Sequence, residues 1–178
     1  MDYKNEEKLV LRPYKSCDAK EIVKWCKDEV SFRKWCADRW EKFGLTPDDM
    51  NDKYFKNNGD CEQEDNFYPL TFVADGRIVG HMIIRYTDEK KETMRFGFVI
   101  VDDNIRGKGY GKKMLLLAKK YAFEMLGARK ITLGVFENNP QAYYCYKAAG
   151  FEEIALEEDI YYEIFNEKWK CIEMEMVR

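Results

Sequence analysis

Histidine, proline and paired cysteine are all scarce in this sequence: it has one histidine, His81, four prolines, and six cysteines with no CxxC spacing. A lone histidine among scattered cysteines does not supply the ligand spacing of a structural zinc site, so no metal is expected. The cysteines at positions 17, 26, 36, 61, 145 and 171 lie in a chain long enough to form a core without disulfide staples, and reduced thiols are expected. Long apolar runs are missing too. The greasiest stretch, residues 96–101, is cut by Asp102 and Asp103, far short of the ~18 to 20 apolar residues of a membrane span. Residues 1–8 are charged and have neither the apolar segment nor the cleavage site of a secretory leader, so the expected location is cytoplasmic. A dominant charge is also absent. With 30 basic and 33 acidic residues the net charge is -3, so neither nucleic acid nor a membrane surface is an expected partner.

What the sequence does contain is material for a core. Of its 178 residues, 46% are hydrophobic and 15% aromatic, which suits a single domain over residues 1–178. Alternation in residues 8–12 predicts a first strand ending at Pro13. Asp18 and Glu21 have the spacing of a capping box, and Ile22, Trp25 and Cys26 follow at helical spacing. A second helix is predicted from about Phe32 to Lys42. Residues 47–66 hold seven acids (Asp48, Asp49, Asp52, Asp60, Glu62, Glu64, Asp65) against Lys53 and Lys56, without periodicity, and read as a loop. Three β-rich runs, the first two joined at Asp75-Gly76, then predict an antiparallel meander ending near Val101. The period changes in residues 111–126, where Met114, Leu115, Ala118, Tyr121 and Ala122 share an apolar stripe. A strand over 130–136, a helix opened by Asn139-Pro140 and closed by Gly150, and β-like stretches over about 151–158 and 168–177 complete the chain.

The densest chemical signal is the loop Arg106-Gly107-Lys108-Gly109-Tyr110-Gly111-Lys112-Lys113 between a strand and the strongest helix. Glycines let backbone N–H groups approach a ligand, and a helix N-terminus adds partial positive charge, so the combination suits an anion such as a phosphate. Lys112 and Lys113 sharpen this, because cations in a first helical turn oppose the macrodipole unless an anion is bound. A P-loop needs glycine at the position of Arg106 and a hydroxyl at Lys113, and a dinucleotide fingerprint needs glycine at Lys112, so neither applies. A sharp basic turn with no ligand is the plainer alternative.

At this point the residues resemble the GCN5-related N-acetyltransferase (GNAT) family. The run from Arg106 to Gly111 is similar to its R-x-x-G-x-G/A pyrophosphate loop, and Asn139, Ala142, Tyr146 and Gly150-Phe151 follow its second signature. The resemblance covers residues 70–151, and the opening LRPY, DA and W pattern looks like the branch that includes ribosomal-protein N-terminal acetyltransferases. It implies an α/β (α+β) single-domain fold with a mixed, mostly antiparallel sheet of about six or seven strands and about four helices, splayed between strands 4 and 5. It also implies acetyl-CoA as co-substrate and transfer of its acetyl group to a primary amine, whether peptide N-terminus, polyamine, amino-sugar or other small amine.

By the same resemblance the backbone of Arg106, Gly107, Lys108, Gly109, Tyr110, Gly111 and Lys112 would hold the pyrophosphate, and Val99, Ile100 and Val101 the pantetheine arm. Asn139 and Tyr146 would stand beside the cofactor as catalytic residues, Tyr146 protonating the departing thiolate. From pattern alone Tyr146 is equally a core residue and Asn139 a helix cap. Some members of the ribosomal-protein branch carry a glutamate twelve residues before the motif tyrosine, and Gly134 stands there instead. His81 and Glu137 are then candidate bases, alongside solvent, and loss of the glutamate leaves a catalytically weak CoA-binding or sensing module as the alternative. The acidic segment with Trp25, Trp35 and Trp40 is a candidate surface for a cationic acceptor. A monomer or homodimer is expected.

Overall fold

The computed structural model describes residues 7–178. Its frame is one eight-stranded sheet in the order β1-β2-β3-β4-β5-β8-β6, with β7 hairpinned onto β8. The first four strands, β1 (Leu9–Pro13), β2 (Tyr68–Ala74), β3 (Arg77–Tyr86) and β4 (Thr93–Val101), form the predicted antiparallel meander. Asp75 and Gly76 join β2 to β3 with positive φ at both residues (48° and 81°), the geometry for which Asp-Gly is favoured.

Beyond β4 the chain crosses through α4 (Tyr110–Lys120), extended by a wider turn over Tyr121–Met125, and returns as β5 (Lys130–Phe136) parallel to β4. Helix α5 (Pro140–Ala149) follows, ending at Gly150 with φ of 100°. The chain closes with β6 (Glu152–Glu153), β7 (Ile160–Ile164) and β8 (Glu167–Val177). The apolar stripe of α4 lies on one sheet face against Phe72, Ile84, Phe96 and Ile131. The opposite face is covered by α1 (Ala19–Ile22), α2 (Glu29–Cys36) and α3 (Pro47–Asn51), which bury Ile22, Trp25, Phe32 and Met50.

Several expectations are corrected. Among the described residues the sheet has eight strands, against the six or seven expected, because β6 and β7 add short partners to β8. Residues 47–66 are not a plain loop: Thr46 and Asp49 form a reciprocal capping box for α3, with Pro47 in the first turn. Helix α2 starts earlier than predicted because the Asp28 carboxylate accepts from the Ser31 N–H at 2.7 Å, and it ends at Ala37, whose φ is 52°. Asp18 makes no cap. It is 1% exposed and accepts from Arg12 at 2.7 and 2.9 Å, from the Thr71 hydroxyl at 2.7 Å and from the Lys15 N–H at 2.9 Å, tying β1 and β2 to the first helical turn. Burial works against that carboxylate's charge, but these donors together hold its pKa below the usual range.

Candidate active site

The parallel contact of β4 with β5 is short: it pairs residues 93–95 with 130–132, and the strands then part. Two local features separate them. β5 continues in full register with β8 from Lys130 to Phe136, so it is held away from β4. β4 carries a bulge where two residues, Phe98 and Val99, stand opposite Met82, with Phe98 at a φ of 49°. The bulged Phe98 carbonyl accepts from the Trp35 indole at 2.8 Å, which fixes its direction. From Phe96 onward the edge of β4 facing β5 therefore has no strand partner, and its N–H and C=O groups border the opening.

That opening is a cleft of about 700 Å³, lined by β4, by the glycine loop, by Leu133, Gly134 and Val135 of β5, and by α5. Val99, Ile100, Val101, Arg106, Gly107, Gly109, Tyr110, Gly111, Lys112, Asn139 and Tyr146 all border it. Lys108, in the same loop, is exposed and is not among the lining residues. The loop is anchored below by Asp102, 3% exposed, which accepts from Asn104 N–H at 3.0 Å and from Arg77 at 2.5 Å. Gly107 and Gly109 have φ of 80° and 81°, and a Cβ at either would have nothing within 4 Å, so backbone conformation, not crowding by the protein, requires glycine at both. Gly111 differs: its Cβ would meet Cys145 Sγ at 3.0 Å, where α4 packs on α5.

The cations of the loop divide. Lys113 reaches Glu7 at 2.6 Å and lies over the Tyr110 ring, and Tyr110 also donates to Glu7. Lys112 and Arg106 border the cleft and make no ion pair among the described residues. Together with the N-terminus of α4 they form a cradle suited to an acidic diphosphate. Across the cleft, Asn139 caps α5 by accepting from Ala142 N–H at 3.4 Å, so its cap position and its place beside the cleft coincide. Tyr146 is 7% exposed, and burial pushes its phenol pKa well up, so it carries its proton at neutral pH and above.

The candidate bases fare differently. His81 lies in β3 with no exposed surface, its Nε2 2.8 Å from the Tyr54 hydroxyl and its ring stacked on Tyr54, and it does not border the cleft. Burial pushes its pKa down to about 3, so it is a neutral core residue. Glu137 is exposed at the end of β5 and does not border the cleft either. Sequence reading missed Glu173, which β8 places directly opposite Gly134. A Cβ at Gly134 would lie 2.8 Å from Arg95 Nη2 and 2.9 Å from Glu173 Oε1, so the glycine leaves room for a two-point Arg95–Glu173 pair. The carboxylate comes from a strand nearly forty residues downstream, and no local motif announces it.

A second cavity of about 460 Å³ lies on the α1–α3 side and shares Lys34, Trp35, Phe96, Gly97, Phe98 and Gly134 with the cleft. Neither His81 nor Glu137 borders it. Of the three tryptophans expected to attract a cation, Trp25 and Trp40 are buried and only Trp35 borders it. Of the seven acids in residues 47–66, Asp60 and Glu62 do. The others that pair do so locally, Asp49 in its cap and Asp52 with Lys56 at 2.7 Å.

A splayed β4–β5 pair, a glycine loop at a helix N-terminus and a buried tyrosine across the cleft form one arrangement. The model of the acetyltransferase (GNAT) family matches residues 21–151. The chain belongs to this family. A spermine/spermidine N(1)-acetyltransferase of Bacillus subtilis (strain 168) is 30% identical over 98 residues, which are 52% of this chain and 64% of the relative. The chain thus spans less than two thirds of that relative's length. Among solved structures, spermidine N-acetyltransferase from Vibrio cholerae in complex with CoA and spermine superposes with a TM-score of 0.76 at 21% identity, covering 95% of each chain. A dodecameric structure of the Vibrio cholerae enzyme in an intermediate state has a TM-score of 0.70 at 20% identity over 95% of this chain and 93% of that one. At these identities the likeness establishes the fold.

Proposed function

We propose that residues 1–178 form one N-acetyltransferase domain that moves an acetyl group from acetyl-CoA to a primary amine. The observation that carries this reading is the cleft itself: free β4 edge, glycine-loop cradle and Tyr146 face one another across about 700 Å³. In it Arg106, Gly107, Gly109, Tyr110, Gly111 and Lys112 hold the pyrophosphate, with Lys108 on the outer side of the same loop, and Val99, Ile100 and Val101 pair with the pantetheine arm. Asn139 keeps α5 and Tyr146 in position beside that arm.

The acceptor enters from the Trp35 side as a neutral amine. Its nitrogen attacks the thioester carbonyl, and an N–H on the bulged β4 edge stabilises the developing oxyanion. As the C–N bond persists and the C–S bond breaks, the leaving thiolate takes the Tyr146 proton, and solvent reprotonates the tyrosine. Glu173 stands opposite Gly134, but Arg95 occupies both its oxygens, so the amine's own proton passes to water.

Acetyl-CoA at about 100 times its Kd should stabilise the protein by about 2.7 kcal/mol, read as a rise in Tm. Thiol release should then appear with at least one member of a panel of peptides, polyamines, amino-sugars and other small amines. Stabilisation without transfer to any amine leaves the sensing module, and absence of both overturns the reading. Cytoplasmic location and a monomer or homodimer complete it, the latter measured by sedimentation.

A further inference from the structure

The acceptor-side cavity is lined by more cations than carboxylates: Lys34, Arg39, Arg85 and Arg95 against Asp60 and Glu62. The three arginines form one cluster. Arg85 and Arg95 stand directly opposite each other on β3 and β4, and directly opposed residues of an antiparallel pair project from the same face. Arg39 and Arg85 both lie close enough to the Cys61 thiol to favour its ionised form, against burial, and Arg39 and Arg95 act likewise on the Tyr162 phenol.

Their partners are unequally shared. Arg95 is held by Glu173 through both guanidinium nitrogens. Asp60 is taken by Lys53. Arg39 meets Asp38 at 3.8 Å, with both side chains more than half exposed. Arg85 is half-buried and makes no ion pair or side-chain hydrogen bond among the described residues. Glu62 is thus the one carboxylate on the cavity wall without a paired cation among the described residues, and Lys34, Arg39 and Arg85 line the same cavity. Of the two arginines opposed across the sheet pair, Arg95 already has its counter-charge in Glu173, so among the described residues Arg85 is the one left without an anion.

Resting on the acetyl-transfer reading, we propose that the acceptor is an amine that also carries a carboxylate, anchored by the half-buried Arg85 with Arg39 beside it. A guanidinium presents a planar fork of donors that matches a carboxylate through two parallel hydrogen bonds. Gly134 and Phe98 border both cavities, so an acceptor anchored at Arg85 extends its amine toward the parted strands. A polyamine brings two or more positive charges into the same space and is repelled by the cluster.

The test is acetyl transfer to matched pairs differing by one carboxylate, lysine against 1,5-diaminopentane and ornithine against 1,4-diaminobutane, with 2-aminoethyl phosphate and spermidine as further arms. The expected result is a kcat/KM at least about tenfold higher for the carboxylate-bearing member, the value of one charge-assisted hydrogen-bonded contact. Arg85→Gln should shrink that ratio toward one through a raised KM for the carboxylate member, and Arg85→Lys should restore it in part. Acetyl-CoA stabilisation of each variant confirms that it folds.

Preference for diamines or spermidine, with the ratio unmoved in Arg85→Gln, overturns this inference and leaves the acetyl-transfer reading intact. Preference for 2-aminoethyl phosphate over every carboxylate overturns the carboxylate assignment. Absence of transfer to every amine overturns both readings together.

Discussion

The two cavities that meet at Gly134 are built by different means. The cofactor side is made chiefly of backbone: a strand edge, a glycine loop and the first turn of α4 come from one stretch of chain, and α5 follows β5 directly. The acceptor side is made of side chains contributed by α2, the turns near residues 59–63, β3, β4, β5, β7 and β8. A backbone site needs particular φ angles and a particular order of elements, and both leave marks at fixed spacing. A side-chain site needs only that the fold deliver the right groups to one place, and such groups can lie anywhere in the chain.

The comparison is broken most severely if the cofactor side fails to carry the chemistry. Tyr146→Phe keeps the ring in the α5 face and removes one proton, so acetyl-CoA affinity should stay near that of the parent while kcat falls ~10² to 10⁴-fold, a general acid's usual contribution. Because burial raises the Tyr146 pKa, no basic limb from this residue should appear in the rate profile below the strongly alkaline range. An unchanged kcat on a confirmed substrate, with chemistry rate-limiting, would give the proton-donor role to solvent.

On the other face the large effects should be on stability. Asp18→Ala leaves Arg12 and Thr71 without the carboxylate that joins β1, β2 and the first helical turn, and loss of one partner of a buried pair costs about 3 kcal/mol or more. Urea unfolding should show the drop with the m-value unchanged, and acetyl-CoA affinity of the folded fraction should be retained. An effect below about 1 kcal/mol, the range of an exposed pair, would mean that Asp18 is better solvated than its burial implies.

Asp18 also shows where sequence reading stops. Its spacing to Glu21 is that of a cap, and nothing local reveals that the fold sets Arg12 and Thr71 on two strands against it. His81 is similar: a lone histidine in a strand reads equally as base or core, and only the packing of Tyr14 and Tyr54 around it decides. Gly134 reads as a missing glutamate until β8 brings Glu173 opposite it, and Arg85 and Arg95 are ten residues apart until the hairpin pairs them. By contrast the meander, α4, β5 and α5 were legible, because their periods and caps are local and match the helices and strands formed.

His81 adds a pH signature to the core around Tyr14 and Tyr54. Its folded pKa, about 3, lies below the ordinary value near 6.5, so the unfolded chain binds a proton first as pH falls. Stability from this group is full above pH 6.5 and declines between 6.5 and about 3. Between pH 6.5 and 5, before most carboxylates titrate, the loss should approach about 1.4 kcal/mol per pH unit, or roughly 2 kcal/mol in all. His81→Gln, which keeps a polar partner for Tyr54, should flatten that slope. A parental slope no steeper than the variant's would show that His81 protonates in the folded state.

The smallest effect, on the cofactor side, separates backbone conformation from crowding. Gly109 and Gly107 hold nearly the same φ in open space, so alanine at either meets no protein atom and bears only the left-handed backbone cost of about 1 to 2 kcal/mol. Gly109 is also the residue that opens α4, so relaxing its φ re-aims the first N–H groups of that helix, whereas relaxing Gly107 moves loop alone. Gly109→Ala should therefore lose more acetyl-CoA affinity than Gly107→Ala at a similar loss of stability. Gly111→Ala is the control of opposite kind. Its φ is ordinary and its Cβ would press on the Cys145 thiol at 3.0 Å, a side-chain end that can turn aside, so it should perturb α4–α5 packing more than the cradle. Calorimetric titration of acetyl-CoA into the three variants, with Tm alongside, reads both quantities. If Gly111→Ala lost the most affinity and Gly109→Ala the least, the cradle would rest on packing between helices, and the contrast between a backbone-built and a side-chain-built cavity would fail on its own ground.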